Sequence, residues 1–363
     1  MITIGSVKED LNIEQRISIS PETVKKFTEL NFSILLEKNY AEHLGITDQE
    51  FKNKGANFFD TSKEVLEKSE IVLRVNCPSD TEINSTKSES ILIGQFDPFS
   101  NDLSLNKLIK KNVKIFSLNL LPRITRAQSM DVLSSQANLA GYRAVIESVE
   151  EFGKAVPMMM TAAGTVTPAK VLVIGAGVAG LQAIATAKRL GGVVSATDVR
   201  SAAKEQVESL GGKFLSVKGA ENLETKEGYA KEASEDFKKK QSELIKEAVK
   251  KNDIVICTAL VPGKKAPRII SEDMVKGMQP GSIIYDLAVG QGGNSVFSES
   301  DKVKSINGVK IMGSKKILNN LALTASNLYA KNLFNFINNL YDKEKKEIFI
   351  NKDDEIVSNT LIS

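Results

Sequence analysis

Residues 171–200 read VLVIGAGVAGLQAIATAKRLGGVVSATDVR. The apolar run at the start predicts a buried strand, and the apolar residues at helical spacing that follow predict a helix to about Leu190. Between the two, Gly175 permits a tight turn, Gly177 lets the backbone approach a pyrophosphate, and Gly180 lets the helix pack on the strand. The stretch therefore predicts the strand, turn and helix that begin a dinucleotide-binding domain.

The next predicted strand, VVSATD, ends in Asp198, eighteen residues after Gly180. A carboxylate at this spacing can accept hydrogen bonds from both adenosine-ribose hydroxyls of NAD, and it would repel the extra phosphate of NADP. NAD is therefore the predicted nucleotide. Arg200 could in principle meet a 2′-phosphate, but we interpret it as a solvated cation or one on the pyrophosphate side.

Strand and helix patterns alternate on both sides of this stretch, as is typical of parallel sheets covered by helices. Ser20 and Pro21 mark the start of a helix that runs to about Leu30, and further helices are predicted at 201–210 and near Glu272. The other predicted strands are MITIGSV (1–7), FSILLE (32–37), IVLRV (71–75), ILIGQF (91–96), VKIFSL (113–118), KFLSV (213–217), DIVICTAL (253–260) and SIIYDLAV (282–289). The predicted fold class is α/β, with two doubly wound, Rossmann-like domains.

A chain of 363 residues has the length of two domains of about 150 residues or more, and a cleft between them is expected. A helix predicted from Ser135 to Phe152 links the two domains. The helical pattern after Lys310 is expected to pack back on the first domain. The predicted domains are therefore 1–135 plus 312–363, and 136–311.

Composition excludes several classes of protein. Because 48 basic residues nearly cancel 45 acidic ones, no strong field attracts nucleic acid. The two cysteines, Cys77 and Cys257, are predicted to be buried and unpaired in a reducing compartment. The N-terminus lacks the pattern of a secretory signal, and the apolar stretch 171–187 is too short and too rich in glycine to span a membrane. We also expect no metal site.

Two polar stretches each leave two interpretations open. Residues 218–240 are predicted to form a solvated loop that leads into an exposed helix, and the alternative is a mobile flap whose Tyr229 reaches a bound nucleotide. Residues 121–146, LPRITRAQSMDVLSSQANLAGYRAVI, place a polar patch at the junction of the domains. The alternative there is that Asp131, Ser134 or Ser135 caps a helix.

The chain has one histidine, His43, for which a surface role is predicted. Dehydrogenases that oxidise an alcohol or amine must remove a proton as well as a hydride, most often with histidine. Transfer between two nicotinamides moves a hydride alone and needs positioning groups rather than a base. The sequence therefore favours transfer between nucleotides, although a lysine or aspartate could still serve as a base.

The stretches 123–146 and 171–200, with GYAKE (228–232) and DLAVGQGGN (286–294), closely resemble the NAD(H)-binding domain of proton-translocating transhydrogenases. The likeness covers nearly the whole chain, and the match around RAQSMDVLSSQANLAGYRA is highly specific. Alanine dehydrogenases are related and share the architecture, including the early stretch KED...EQRISISPETVKK.

The resemblance implies roles for individual residues. Gln128 would lie against the dihydronicotinamide, while Arg123, Asp131 and Ser134 would hold its carboxamide and one another. Tyr229 would close over the nucleotide. The predicted cofactor-binding residues are Gly175, Gly177, Val178, Ala179, Gly180, Asp198, Val199, Arg200, Tyr229, Ala259 and Leu260.

The implied activity is direct, Si/Re-specific hydride transfer between NAD(H) on this chain and NADP(H) on a partner chain, coupled to proton translocation. The implied partners are a second copy of this chain, a membrane subunit and an NADP(H)-binding subunit. The chain would lie at the cytoplasmic face of the inner membrane without crossing it. The alternatives are an alanine-type dehydrogenase with a carboxylate site near Arg16, and a non-catalytic NAD(H)-binding module.

The sequence departs from both families at several positions. Where alanine dehydrogenases carry a lysine and later a histidine, this chain has Arg74 and the stretch IGQFDPF, which weakens the dehydrogenase alternative. Gly290 and Gln291 replace the usual acid and alanine of the transhydrogenases, and GSKKILNN (313–320) replaces another of their segments. These changes predict altered local geometry or partner docking.

Overall fold

The computed structural model describes residues 1–98, 103–217, 234–260 and 263–363. The strands are β1 (Thr3–Ser6), β2 (Ser33–Glu37), β3 (Ala56–Phe59), β4 (Ile71–Leu73), β5 (Ile91–Gly94), β6 (Lys114–Ser117), β7 (Met159–Thr161), β8 (Gly164–Val166), β9 (Lys170–Ile174), β10 (Val193–Thr197), β11 (Lys213–Phe214), β12 (Ile254–Cys257), β13 (Ile283–Asp286), β14 (Lys304–Ile306), β15 (Val309–Met312), β16 (Tyr341–Asp342) and β17 (Glu347–Ile348). The α-helices are α1 (Pro21–Glu29), α2 (Asp48–Lys52), α3 (Ser62–Lys68), α4 (Asp80–Ser85), α5 (Leu103–Lys110), α6 (Val132–Glu151), α7 (Val178–Arg189), α8 (Ala203–Ser209), α9 (Glu235–Lys251), α10 (Glu272–Lys276), α11 (Ala322–Leu340) and α12 (Glu355–Thr360). Short 3-10 helices occur at Glu42–Leu44, Leu118–Leu120, Thr125–Met130, Val289–Gln291 and Ile317–Leu321.

The chain divides into two compact units. Unit 1 is Met1–Gln136 with Leu318–Ser363, and unit 2 is Ala137–Ile317. The second boundary follows Ile317 rather than residue 311, because β15 pairs with β13 and so extends the sheet of unit 2. The first boundary falls inside α6, one residue after the predicted position.

Unit 1 is a parallel sheet of strand order β3-β2-β1-β4-β5-β6. Successive strand residues face opposite sides, so Ile34 and Leu36 join the core that α1 and α11 cover, while Leu35 joins the core on the other face. Because both faces are covered, the strands consist of continuous apolar runs. The strand order reverses between β1 and β4, where doubly wound sheets ordinarily bind ligands.

The edge of the sheet beside this reversal in unit 1 holds buried charges of the chain itself. Arg74, directly after β4, donates from Nε and Nη2 to Glu9 at 3.0 and 3.1 Å, and from Nη1 to Glu82 at 2.5 Å. Arg16 donates to both carboxylate oxygens of Glu14, at 2.8 and 2.7 Å. Each buried guanidinium is therefore neutralised by an acid of the same unit.

Unit 2 is a sheet of order β11-β10-β9-β12-β13-β15-β14, in which every pairing is parallel except that of β14 with β15. The chain order reverses between β9 and β12, so the carboxyl ends of these strands form the expected ligand-binding edge. The α/β class and the doubly wound topology predicted from the sequence are confirmed.

Most predicted elements are present, and the helix predicted from Pro21 to about Leu30 is α1. Its N-cap is Ser20, whose hydroxyl accepts from the backbone N–H of Thr23, and the Thr23 hydroxyl accepts from the Ser20 backbone N–H in return. This reciprocal capping satisfies two N–H groups at the helix start. The predicted helix at 135–152 is α6, which starts three residues earlier because Asp131 caps it.

Sequence patterns missed β3 and three hairpins, β7–β8, β14–β15 and β16–β17. β3 is an edge strand in which only Ala56 is fully buried, so it lacks an apolar alternation. The β14–β15 hairpin turns at Asn307 and Gly308, both with positive φ (50° and 77°), which is the conformation of a type I′ turn. The Asn-Gly pair was a signal in the sequence that could have identified this hairpin.

The predictions for the cysteines, the charged stretch and membrane-spanning helices have different outcomes. Cys257 is buried as predicted, but the prediction for Cys77 is wrong: this residue is only half-buried, because it lies in the irregular segment between β4 and α4. Tyr229 and most of the charged stretch lie outside the described residues, and α9 begins at Glu235. Across the described ranges, no helix is both long and apolar enough to cross a membrane.

Candidate nucleotide-binding site

The glycine turn of unit 2 joins the end of β9 to the start of α7. Gly175 has φ +96°, a conformation that favours glycine, and its carbonyl accepts from the hydroxyl of Thr258 at 2.9 Å. Gly177 is the N-cap of α7 and has no side chain to bond the first amides of the helix. A Cβ on Gly177 would meet no atom within 4 Å. The helix N-terminus therefore faces open space in which an anion such as a pyrophosphate fits.

Two glycines allow close backbone contacts around this turn. A Cβ on Gly180 would lie 1.9 Å from the carbonyl oxygen of Gly175. A Cβ on Gly141, in α6, would lie 2.0 Å from the carbonyl oxygen of Ala179. The role of Gly180 in packing was predicted from the motif, whereas Gly141 was not singled out because a glycine within a helical pattern has no periodic signal.

Asp198 follows β10 at the same edge of the sheet. Its Oδ2 accepts from the backbone N–H of Ala176 at 2.7 Å, and its Oδ1 accepts from the backbone N–H of Arg200 at 2.8 Å. Burial alone would raise the pKa of Asp198, but hydrogen bonds from Arg200 and the backbone amides hold that pKa below its usual value. The carboxylate is therefore ionised at neutral pH and able to accept hydrogen bonds.

A cavity of about 240 Å³ opens beside Asp198. Its walls include two aromatic rings, Phe214 at the end of β11 and Phe237 on α9, together with the polar side chains of Lys204 and Gln241. Most of the other lining residues are polar, and the two rings offer flat apolar faces on which a heterocycle such as adenine could stack. Sequence patterns did not identify these four residues, because they lie on separate elements that come together only in the folded unit.

Ala259 and Leu260 follow β12, across the turn from Gly175. The side chain of Asn294 holds Ala259, since its Oδ1 accepts from the Ala259 N–H at 3.1 Å and its Nδ2 donates to the Ala259 carbonyl at 2.8 Å. Buried Asp286 orders the loop that carries Asn294, accepting from the Asn294 N–H at 2.6 Å. The departure at Gly290 lies in this loop, and a Cβ there would sit 3.5 Å from the side chain of Lys315, within the other departing segment.

The predicted nicotinamide-side residues lie in unit 1, on and around the 3-10 helix Thr125–Met130. Arg123 and Gln128 are exposed. Asp131 is the N-cap of α6: its Oδ1 accepts from the Ser134 N–H at 2.8 Å and its Oδ2 from the Ser134 hydroxyl at 2.5 Å. The geometry thus brings Asp131 and Ser134 together in a cap, the alternative left open by the sequence, and leaves the Gln128 amide at the surface.

Side chains of α11 support this 3-10 helix. Asn332 and Asn335 both donate from Nδ2 to the carbonyl of Ser129, each at 2.9 Å. Arg126 donates to both carboxylate oxygens of Asp354, just before α12. The backbone around Gln128 is therefore held from two sides by the C-terminal segment.

His43 lies in an exposed 3-10 helix, where its Nε2 is 2.8 Å from the carbonyl oxygen of Gln15. This is the surface role predicted for it. The single histidine of the chain is thus engaged with the backbone of a neighbouring loop.

Two family profiles match nearly the whole chain. The profile for the alanine dehydrogenase/PNT N-terminal domain matches residues 5–140, and that for the alanine dehydrogenase/PNT C-terminal domain matches residues 144–363.

Individual relatives agree with these profiles. The first part of NAD(P) transhydrogenase subunit alpha of Rhodospirillum rubrum is 48% identical over 367 residues, covering 99% of this chain and 96% of the relative. The crystal structure of transhydrogenase from Sinorhizobium meliloti matches with a TM-score of 0.90 at 44% identity, over 99% of this chain and 98% of that one. Alanine dehydrogenase of Methanococcus maripaludis is 28% identical over 80% of this chain and 73% of the relative. The likeness to transhydrogenase subunits covers the full length, whereas that to alanine dehydrogenases is distant.

Proposed function

The chain belongs to the alanine dehydrogenase/PNT family, and we propose that it is the NAD(H)-binding subunit of a proton-translocating NAD(P) transhydrogenase. The observation that carries the proposal is the edge of unit 2, where an open helix N-terminus at Gly177 lies beside an ionised acid, Asp198. The first fits a pyrophosphate and the second a ribose diol. Val178, Ala179, Val199, Ala259 and Leu260 complete the described part of the nucleotide-binding set.

We propose that Gln128, with Arg123, Asp131 and Ser134, handles the nicotinamide end. Hydride transfer between nicotinamides requires the two rings to approach within about 3 to 3.5 Å and needs no general base. Amide, guanidinium and hydroxyl groups can position a carboxamide, and none of them has to accept a proton. The NADP(H) would be held by a partner chain, and the hydride transfer would be Si/Re-specific. The transfer would be coupled to proton movement through a membrane subunit, with this chain bound at the cytoplasmic face of the inner membrane.

A homodimer is part of this proposal. The β7–β8 hairpin carries three consecutive methionines, and Met158 and Met160 are 61% and 81% exposed. Exposed apolar side chains on a hairpin are typical of a protein interface, and methionine adapts well to such contacts. A second copy of the chain is the partner that we propose for this hairpin.

The alanine dehydrogenase alternative is disfavoured by the charges of unit 1. A 2-oxo acid substrate needs a cation that can receive its carboxylate. The buried cations at the strand-order reversal, Arg16 and Arg74, already bind Glu14, Glu9 and Glu82. A small carboxylate would have to displace an acid of the chain from either of them.

The test of the function is hydride exchange between nucleotides. The chain is mixed with an NADP(H)-loaded partner domain from a related transhydrogenase, and reduction of the acetylpyridine analogue of NAD by NADH is followed. Exchange that requires both the partner domain and NADP(H) is expected. Production of NADH from alanine and NAD by the chain alone would establish the dehydrogenase alternative instead.

Gln128→Asn tests the role of the amide. The shorter side chain withdraws the amide from the ring by about one bond, so hydride transfer should slow roughly a hundredfold, while the Kd for NADH changes less than about threefold. Single-turnover transfer and NADH fluorescence titration measure the two effects. Gln49→Asn, a matched change at an exposed position of α2, should alter neither. Equal losses in transfer and binding would contradict the assigned role.

A further inference from the structure

Four hydrogen-bond donors of the chain itself surround the carboxylate of Asp198. Oδ1 accepts from the Arg200 backbone N–H at 2.8 Å and from Arg200 Nε at 2.9 Å. Oδ2 accepts from the Ala176 backbone N–H at 2.7 Å and from Arg200 Nη2 at 2.9 Å. A carboxylate offers about four acceptor positions. The two ribose hydroxyls therefore find no acceptor on Asp198 unless two of the present donors leave.

The guanidinium donors are the two that can leave. The N–H of Ala176 belongs to the glycine turn, which Gly175 fixes by donating its own N–H to the carbonyl of Thr197 at 2.9 Å. The N–H of Arg200 is part of the turn into α8. The side chain of Arg200, by contrast, is on a flexible stem, and it is 18% exposed where that of Asp198 is 7% exposed.

The guanidinium of Arg200 also donates to Asp198 with the geometry expected for the two hydroxyls of the adenosine ribose. Nε and Nη2 donate in parallel, one to each carboxylate oxygen, as in a bidentate guanidinium–carboxylate pair. Two neighbouring ribose hydroxyls would donate to the same two oxygens in the same manner.

We propose that Arg200 is an internal competitor of NAD(H): its guanidinium occupies the positions on Asp198 that the adenosine ribose must take, and nucleotide binding exchanges one for the other. The proposal rests on NAD(H) being the nucleotide of this site. Arg200 then affects the affinity for NAD(H) because its guanidinium must leave Asp198 when the nucleotide binds. It does not act through a direct contact with the pyrophosphate. Breaking this partly buried, bidentate ion pair costs free energy, which is subtracted from the free energy of NAD(H) binding. The affinity is therefore lower than it would be if the carboxylate of Asp198 were unpaired.

Arg200→Met tests this exchange. The variant keeps both backbone donors and the apolar stem but has no guanidinium to displace, so its Kd for NADH should fall about five- to tenfold. Arg200→Lys keeps the charge but cannot form the bidentate pair, so its Kd for NADH should lie between those of the wild type and the methionine variant. The Kd for NADPH should not fall in parallel, because Asp198 still repels the 2′-phosphate. NADH and NADPH fluorescence titrations on the full chain measure all of these constants without any turnover.

Controls separate this inference from the proposed function. Arg189→Met removes an exposed arginine near the end of α7 and should leave the Kd for NADH unchanged. Asp198→Asn should weaken NADH binding. If Asp198→Asn weakens binding while Arg200→Met leaves it unchanged or weakens it too, the competitor role is overturned and the nucleotide site stands. If the wild-type chain does not bind NADH, both are overturned. A thermal shift by NADH that is larger for a folded Arg200→Met chain than for the wild type supports the exchange independently.

Discussion

Replacing Gly180 by alanine should both weaken NADH binding strongly and destabilise unit 2. The added methyl carbon would lie 1.9 Å from the carbonyl oxygen and 2.9 Å from the carbonyl carbon of Gly175, so no side-chain rotation can relieve the overlap. The turn that presents the N-terminus of α7 would have to open. We expect the Kd for NADH to rise roughly a hundredfold or more, which corresponds to about 2.8 kcal/mol. Fluorescence titration and thermal unfolding measure the two effects.

Two other glycines serve as matched controls for this prediction. A Cβ on Gly177 meets no atom within 4 Å, so Gly177→Ala should leave stability unchanged and still weaken NADH binding, because the methyl group stands where the pyrophosphate approaches. Gly153 also has open space but lies outside the site, and Gly153→Ala should change neither quantity. NADH binding of wild-type strength by a folded Gly180→Ala chain would contradict the assigned site.

Replacing Arg74 by methionine should lower the free energy of unfolding by about 3 to 5 kcal/mol, the usual result of removing one partner from a buried ion pair. The side chains of Arg74 and Glu9 are each 4% exposed, and that of Glu82 is 16% exposed. Without the guanidinium, two buried carboxylates would face each other with no cation between them. Urea denaturation followed by circular dichroism measures the loss.

The loss should depend on pH in a defined direction. Burial raises the pKa of Glu9, although the positive charge of Arg74 opposes this shift. Burial also acts to raise the pKa of Glu82, but there the charge and hydrogen bond of Arg74 outweigh it, and the pKa lies below its usual value. Removing Arg74 raises both pKa values, so lowering the pH protonates the two acids and relieves their repulsion. The difference in unfolding free energy between wild type and variant should therefore shrink as pH falls from 7 towards 4.

A surface ion pair provides the control for this prediction. Arg126, whose side chain is 54% exposed, pairs with Asp354, and Arg126→Met should cost less than about 1 kcal/mol because solvent screens exposed pairs. A loss of that small size for Arg74→Met, or a loss that grows on acidification, would show that the cluster is not held by its charges.

Much of the nucleotide-binding edge follows from short-range sequence. The apolar run of β9, the three glycines and the periodic face of α7 lie within twenty residues, and Asp198 follows one strand later. Strand period, helix period and the glycine requirement at positive φ are properties of neighbouring residues, so they can be recognised before the chain folds. The capping of α1 by Ser20 is local for the same reason.

The remaining features depend on residues that are distant in the chain. Phe214 and Phe237 form one cavity wall from two elements, and Asn294 holds Ala259 across 35 positions. The ion pair of Glu9 with Arg74 spans 65 positions and exists because parallel β1 and β4 end at the same edge of one sheet. Local periodicity identifies which residues form strands and helices. Which side chains meet at a strand end, and whether a guanidinium there is already paired, depend on strand order and packing, which bring residues together regardless of their separation in the chain.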